Sequence, residues 1–359
     1  MINLTDYGAN AHFLTEAALF PELKLTRVIT QYKNSYKIIT KDGERFAEIS
    51  GNLRRGISEL SDFPAVGDFV MADFAKGDSG NAVIQKVLTR KSVFKCSSVG
   101  NKFNSQVIAA NIDIVFICMA LNENYNLSRL ERYLTEAWNS GAVPVVILTK
   151  TDLCADFAEF IAETETAAPG TDIIATTVSD EASYKKLFPY LKKGITVSFI
   201  GSSGVGKSTL INKLIGEERL KTSETGSDGK GKHTTVCREM FVLPDGGLVI
   251  DTPGMREFGL ETVDFSKSFS DIEELAGKCR FNDCRHINEP GCAVLEAVNE
   301  GKLDLRRLNS YLKLIKESTY NGLDSRQLEN KKLNNMFGAF GGMKKIRKYI
   351  RENDKRKGE

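Results

Sequence analysis

The run Gly201-Ser202-Ser203-Gly204-Val205-Gly206-Lys207-Ser208 fits the pattern G-x-x-x-x-G-K-S, which wraps a polyphosphate. Its glycines let main-chain N–H groups turn inward at a helix N-terminus, where the helix dipole favours anions. All eight residues and the following Thr209 are therefore expected to bind nucleotide. Lys207 is expected to neutralise the β- and γ-phosphates and to assist catalysis, and the Ser208 hydroxyl to ligate Mg²⁺.

Three further groups of residues refine that chemistry. Asp251-Thr252-Pro253-Gly254 follows an apolar run about 45 residues after the phosphate loop. Asp251 would hold Mg²⁺ through water, and Gly254 would let a main-chain N–H approach the γ-phosphate. Thr149-Lys150-Thr151-Asp152 has the form of a guanine-reading tetrad. Asp152 would accept from guanine N1–H and N2–H₂, a donor pair that adenine lacks, and Lys150 would cover the base. Thr149 replaces the usual Asn, which questions the side-chain bridge to the phosphate loop but not the logic of Asp152. Ser179 lies where a loop around the base O6 is expected, with Asp180 in place of the usual Ala.

The order of these motifs is diagnostic. The base-reading residues Thr149, Lys150, Asp152 and Ser179 precede the phosphate loop, and Asp251 comes last, so the nucleotide domain reads as circularly permuted. Between them, Gly231-Lys232-His233-Thr234-Thr235 looks like a switch, with Thr235 capping Mg²⁺. Met255 stands where many GTPases place a water-orienting Gln, so intrinsic hydrolysis should be slow, and His233 is the candidate to position the water.

A separate chemistry is offered by Cys279-x4-Cys284-x-His286-x5-Cys292, three thiols and an imidazole within fourteen residues. That donor set suits tetrahedral Zn²⁺ with no open position, a structural site. The remaining four cysteines, Cys96, Cys118, Cys154 and Cys237, are scattered, and the clustering of the other three near one histidine argues for a metal site in a reducing compartment, not a disulfide framework.

These residues need elements to hold them. Short β-type runs at 28–32, 35–40, 45–50, 68–72 and 82–88 suggest a small barrel, with an OB-fold the natural candidate. From about residue 106 the pattern becomes α/β, with buried strands expected at 112–119, 143–148, 172–177, 195–200 and 247–250 and helical spacing at 127–140 and 208–215. A multidomain α/β chain is expected: a lead-in at 1–26, the barrel at 27–95, a permuted P-loop GTPase domain at 104–265, and a helical zinc-binding domain at 266–359 with a basic tail at 344–357. The net charge of +2 is too small to imply a nucleic-acid partner alone. No run approaches a membrane span and the N-terminus is not a signal peptide, so a cytoplasmic location is expected, without a membrane partner.

Taken together, the motifs resemble the circularly permuted bacterial GTPases known as small ribosomal subunit biogenesis GTPase RsgA. The likeness includes Val66-Gly67-Asp68, Ala109-Ala110-Asn111-Ile112-Asp113, the permuted nucleotide motifs, Lys232-His233-Thr234-Thr235 and the Cys/Cys/His/Cys cluster. It implies an N-terminal OB-fold, a central permuted GTPase and a C-terminal zinc domain. It also implies a GTPase stimulated by the small (30S) subunit and acting late in its maturation, with GTP/GDP, one Zn²⁺ and Mg²⁺ as ligands. By the same resemblance the outer domains would contact 16S rRNA, and His233 matches the family's proposed catalytic histidine. A monomer is expected. Arg54, Arg55, Arg90, Lys91 and Lys95 could line a basic groove on the barrel. Two other readings compete: a zinc-stabilised RNA-binding protein whose nucleotide is mainly structural, and an ATP-dependent phosphotransferase. Intact Lys207, Ser208, Asp251 and Gly254 argue against the first, and the guanine tetrad against the second.

Overall fold

The computed structural model describes residues 1–33, 35–74, 81–96, 106–154, 156–220, 238–251 and 264–319. Its N-terminal strands are β1 (Lys24–Gln31), β2 (Tyr36–Thr40), β3 (Gly43–Ile49), β4 (Phe69–Asp73) and β5 (Ala82–Val87). They pair in the order β1-β2-β3-β5-β4 and close through β4 on β1, all antiparallel except β3 with β5. This is a closed five-stranded OB-like barrel. Alternation along the strands sends Val28, Ile38, Ala47, Val70, Ala72 and Ile84 into its own core. Phe69 and Met71 leave on the other face, where Phe13 from α1 (Ala11–Ala17) stacks on Phe69. The short α2 (Gly51–Gly56) carries exposed Arg54 and Arg55.

A two-stranded ribbon of β6 (Val93–Cys96) and β7 (Gln106–Ala110) leads into the nucleotide domain. There β8 (Ile114–Ala120), β9 (Val143–Thr149), β10 (Asp172–Ala175), β11 (Thr196–Ile200) and β13 (Leu248–Asp251) run parallel in the order β10-β9-β8-β11-β13. β8 and β11 are buried nearly throughout because helices cover both faces. On one face lie α3 (Leu127–Ser140) and α4 (Ala158–Ala167). On the other lie α5 (Glu181–Tyr184) and α6 (Lys207–Ile215), whose Leu210, Ile211 and Leu214 pack on Phe199 and Val249. α3 matches its predicted span because its boundaries are chemical: the Asn126 side chain caps its start, and Gly141, at φ 90°, ends it.

β12 (Arg238–Val242) is antiparallel to β13 and also to β1 of the barrel, so barrel and nucleotide domain share one continuous sheet of eleven strands. The second contact between them is a backbone approach. A Cβ on Gly67, at φ 94°, would lie 2.0 Å from the Ala110 carbonyl oxygen. Asn111 Nδ2 and Arg27 Nε both donate to the Gly67 carbonyl, at 3.1 and 3.0 Å. The helices α7 (Ser270–Ala276), α8 (Ala293–Asn299) and α9 (Leu305–Ser318) form the C-terminal domain around Phe269, Ile272, Val294 and Leu308.

Candidate functional site

The phosphate loop follows from two close approaches. Gly201, at φ 145°, sits where a Cβ would fall 2.4 Å from the Cys118 carbonyl oxygen on β8, so only glycine lets the chain leave β11 there. Gly206, at φ 94°, turns the chain into α6, and Lys207 and Ser208 open that helix. Lys207 Nζ donates to the carbonyls of Gly201 and Ser202, both at 2.7 Å, which holds the cation over the loop. The helix thus starts at Lys207, one residue before its expected beginning, because Gly206 takes the left-handed turn.

Asp251 ends β13, beside the strand that carries the loop. Burial pushes its carboxyl above the ordinary range; the charge of Lys207 pulls it back, and Glu239 adds to the rise. Glu239 is its register partner on β12. A half-buried carboxylate near the loop lysine suits a hard divalent cation that keeps water ligands.

The base-reading residues are brought to the same edge. Thr149 Oγ1 donates to the Val205 carbonyl at 2.7 Å and lies 3.3 Å from the Met119 carbonyl. The bridge to the phosphate loop questioned on account of the missing Asn is therefore made by a hydroxyl. Lys150 adopts φ 59°, which turns the chain out of β9 and into the turn carrying Asp152. Thr177 was not anticipated as a site residue: its Oγ1 donates to Asp152 Oδ1 at 2.5 Å and lies 2.9 Å from Ser179 Oγ. It sits past the end of β10, which stops at Ala175 and not at 177 as expected. Ser183 holds it there by bonds to the Thr177 amide and carbonyl. Asp180 is accounted for by capping: its Oδ1 accepts from the Ala182 amide at 3.0 Å and starts α5.

Cys279, Cys284, His286 and Cys292 converge, with all four ligand atoms within 4.8 Å of one another. His286 Nδ1 lies 3.4 Å from Cys292 Sγ and 3.7 Å from Cys279 Sγ, and the two sulfurs are 3.9 Å apart. A tetrahedron with Zn–S bonds of about 2.3 Å has edges of roughly 3.8 Å, so the donors fit a structural zinc site. Cys292 also accepts from the Leu295 amide and thereby caps α8.

Two basic residues proposed for a groove are engaged within the protein. Arg90 pairs with buried Asp68 at 2.7 Å and donates to the Ser61 and Phe63 carbonyls. Lys91 pairs with Asp113 at 2.9 Å. His233, Thr235 and Gly254 lie outside the described residues, as do Met255 and the basic tail at 344–357.

A family model described as RsgA GTPase matches residues 87–261. The chain is 44% identical over 347 residues to small ribosomal subunit biogenesis GTPase RsgA 2 of Lactiplantibacillus plantarum, covering 96% of this chain and 98% of that protein. It is 44% identical over 323 residues to RsgA 1 of Listeria innocua, covering 88% and 90%. Among solved structures it resembles YjeQ from Thermotoga maritima, with a TM-score of 0.62, 25% identity, and coverage of 83% and 99%. The fold is also that of YloQ, described as a circularly permuted GTPase, with a TM-score of 0.56, 22% identity, and coverage of 83% and 96%.

Proposed function

The chain belongs to the RsgA GTPase family, and from that premise we propose that it hydrolyses GTP as a timed factor in small ribosomal subunit biogenesis. The reading includes contact of the outer domains with 16S rRNA, a monomeric state and a cytoplasmic location. Among the described residues no helix is long and apolar enough to cross a membrane.

The observation that carries the reading is the junction of the permuted pieces. The Thr149 hydroxyl rests on the phosphate-loop carbonyl of Val205, while Thr177 ties Asp152 to Ser179. A guanine-selective carboxylate is thereby fixed relative to Lys207. In this reading Gly201, Ser202, Ser203, Gly204, Val205, Gly206, Lys207, Ser208 and Thr209 hold the phosphates, and Thr149, Lys150, Asp152 and Ser179 read the base. Ser208 and Asp251 hold Mg²⁺, with Thr235 and Gly254 completing the γ-phosphate side and His233 positioning water. Mg²⁺, when bound, neutralises charge on the β- and γ-phosphate oxygens. Lys207 binds and orients the same oxygens, and its charge lowers the cost of the charge that develops as the terminal bond breaks. The zinc-site residues serve to fold the C-terminal domain.

Hydrolysis of GTP and of ATP, each with and without purified small subunits, tests the proposal. The expected result is GTP-selective turnover that rises about tenfold or more on adding subunits, as a partner-supplied element does in other GTPases. Equal turnover of both nucleotides, or no response to subunits, would overturn it.

A further inference from the structure

β12 is the first described strand after the segment assigned to the switch, and it begins at Arg238, only three residues beyond Thr235. It is hydrogen-bonded along both edges. On one side Glu239 is the register partner of Asp251, and on the other Glu239 is the partner of Thr30 and Arg238 of Gln31. Cross-strand partners in antiparallel pairs face the same way, so Thr30, Glu239 and Asp251 stand in a row across three strands. The row spans two strand spacings, about 10 Å.

From this arrangement we infer that β1 of the barrel is a built-in partner strand for the nucleotide site, with Arg238 as the positioning residue that fastens β12, the strand paired with Asp251, to it. The inference rests on the ribosome-linked reading above for the identity of the external signal. Arg238 Nη1 donates to Gln31 Oε1 at 3.4 Å and to the Val107 carbonyl at 3.2 Å, so one guanidinium clasps both the barrel and the β6–β7 ribbon. Glu239 pairs with Arg219 at 3.4 Å. Arg219 follows the phosphate-loop helix and lies 4.3 Å over the Phe241 ring. β12 is thereby tied to the far end of α6 as well as to Asp251.

Two physical consequences follow. An exposed strand edge is free to shift, but β12 has none on the barrel side at Arg238 and Glu239. Any change in its position that accompanies nucleotide exchange must be shared with β1 or must break those bonds. The next residue after β1 is Tyr32, 43% exposed, whose ring lies 6.2 Å from that of Phe46 on β3. An exposed aromatic pair is therefore one residue from the clasp. Coupling between two sites is reciprocal, so the same bonds should make subunit affinity depend on the bound nucleotide.

The test uses the full-length protein and three variants, Arg238→Ala, Arg238→Lys and Gln31→Ala, at residues that carry no part of the nucleotide-binding assignment above. Intrinsic GTP turnover, subunit-stimulated turnover, and subunit affinity with GDP and with a non-hydrolysable GTP analogue are measured. Arg238→Ala and Gln31→Ala should lower stimulated turnover about fivefold or more and shrink the affinity ratio by a similar factor. Intrinsic turnover and GTP affinity should stay within about twofold, a split that general loss of structure would not produce. Arg238→Lys, which keeps the charge but not the two-acceptor reach, should fall between. Gln31→Ala stands in if Arg238→Ala does not fold. Full stimulation and an unchanged affinity ratio in both alanine variants would overturn the inference. If the wild type itself ignores subunits, the proposed function fails, and amide exchange decides the inference alone. Exchange across residues 28–31 should then differ between GDP and the GTP analogue in the wild type and not in Arg238→Ala. No difference in the wild type would overturn it.

Discussion

Each junction between an outer domain and the nucleotide domain holds a buried arginine, and the two are satisfied in opposite ways. Arg27, at the barrel junction, donates to neutral oxygens only: the carbonyls of Tyr7, Gly67 and Asn111 and the hydroxyl of Thr196. Its guanidinium lies 4.7 Å over the Phe69 ring. Burial pulls it down to about 10, with the more distant Asp113 and Asp68 opposing. Arg307, at the C-terminal junction, is held by carboxylates: Asp271 at 2.6 Å and Glu131 at 3.1 Å, with Arg306 sharing Glu131. The barrel is joined chiefly by main chain, through β1–β12 and Gly67 on Ala110. The C-terminal domain is joined by side-chain charge. A main-chain ladder sets register through backbone groups that every non-proline residue carries, and here it demands a particular residue at Gly67, where a Cβ would meet the Ala110 carbonyl. A buried charge cluster is costly to desolvate and tolerates no missing member.

The largest expected effect separates the two junctions outright. Stripping metal with a chelator, or Cys292→Ser, should unfold the C-terminal domain, since a structural zinc site is worth about 10–16 kcal/mol of folding free energy. Limited proteolysis would then cleave after the nucleotide domain while the barrel stays protected. Loss of the barrel in parallel would break the comparison. Next in size is the pair of arginines themselves. Arg307→Met should destabilise the C-terminal junction by about 3–5 kcal/mol, because Glu131 and Asp271 lose their shared partner. Adding Glu131→Gln should restore part of it. Arg27→Met leaves only neutral acceptors behind and should cost about 1–3 kcal/mol. Urea unfolding of each variant checks both, and equal costs would erase the distinction.

The smallest effect is a gain. Glu136 on α3 is buried with neither carboxylate oxygen hydrogen-bonded. Burial raises its carboxyl well above the ordinary value of 4.5; Arg132 opposes and Glu317 on α9 adds. A carboxyl whose folded value is raised supports stability fully below 4.5, and that support is lost as pH rises through the raised value. Glu136→Gln should therefore be more stable than the wild type at neutral pH, by about 1–3 kcal/mol. The difference should close as pH falls toward 4.5, as read by unfolding curves across that range. A gap that widens on acidification would refute the assignment.

What was legible from the sequence was what is local. The phosphate loop and the four zinc ligands are short spacings whose geometry follows from the chain itself. α3 shows in its helical spacing, and β8 and β9 in their apolar runs. What was not legible depends on distant partners. β12 is five residues long and gains its role from pairing with its chain neighbour β13 on one side and, on the other, with β1, which lies far upstream in the chain. The β6–β7 ribbon likewise escaped notice. Arg90 is a candidate for a basic groove by sequence because nothing local reveals that Asp68 lies 22 residues upstream. Thr177 belongs to no motif; a lone threonine after a strand is silent until the fold places Asp152 beside it. Thr149 was judged by the residue it replaces, whereas the bridge needs only a donor of the right reach.

Thr177 has one further consequence, which follows from counting protons. A hydroxyl carries a single hydrogen, and at 2.5 Å from a carboxylate oxygen that hydrogen belongs to the bond with Asp152. Toward Ser179, 2.9 Å away, Thr177 can then only accept, so the serine must give up its own hydrogen to the threonine. The two hydroxyls form a one-way chain that ends on the carboxylate. The Ser179 hydroxyl then has no hydrogen left for a bound base, and its oxygen can face only a donor. A purine carbonyl would have to find its hydrogen on a main-chain amide of this loop, so Ser179 would read the base through its main chain, and replacing its side chain would act through the polarity of the hydroxyl chain.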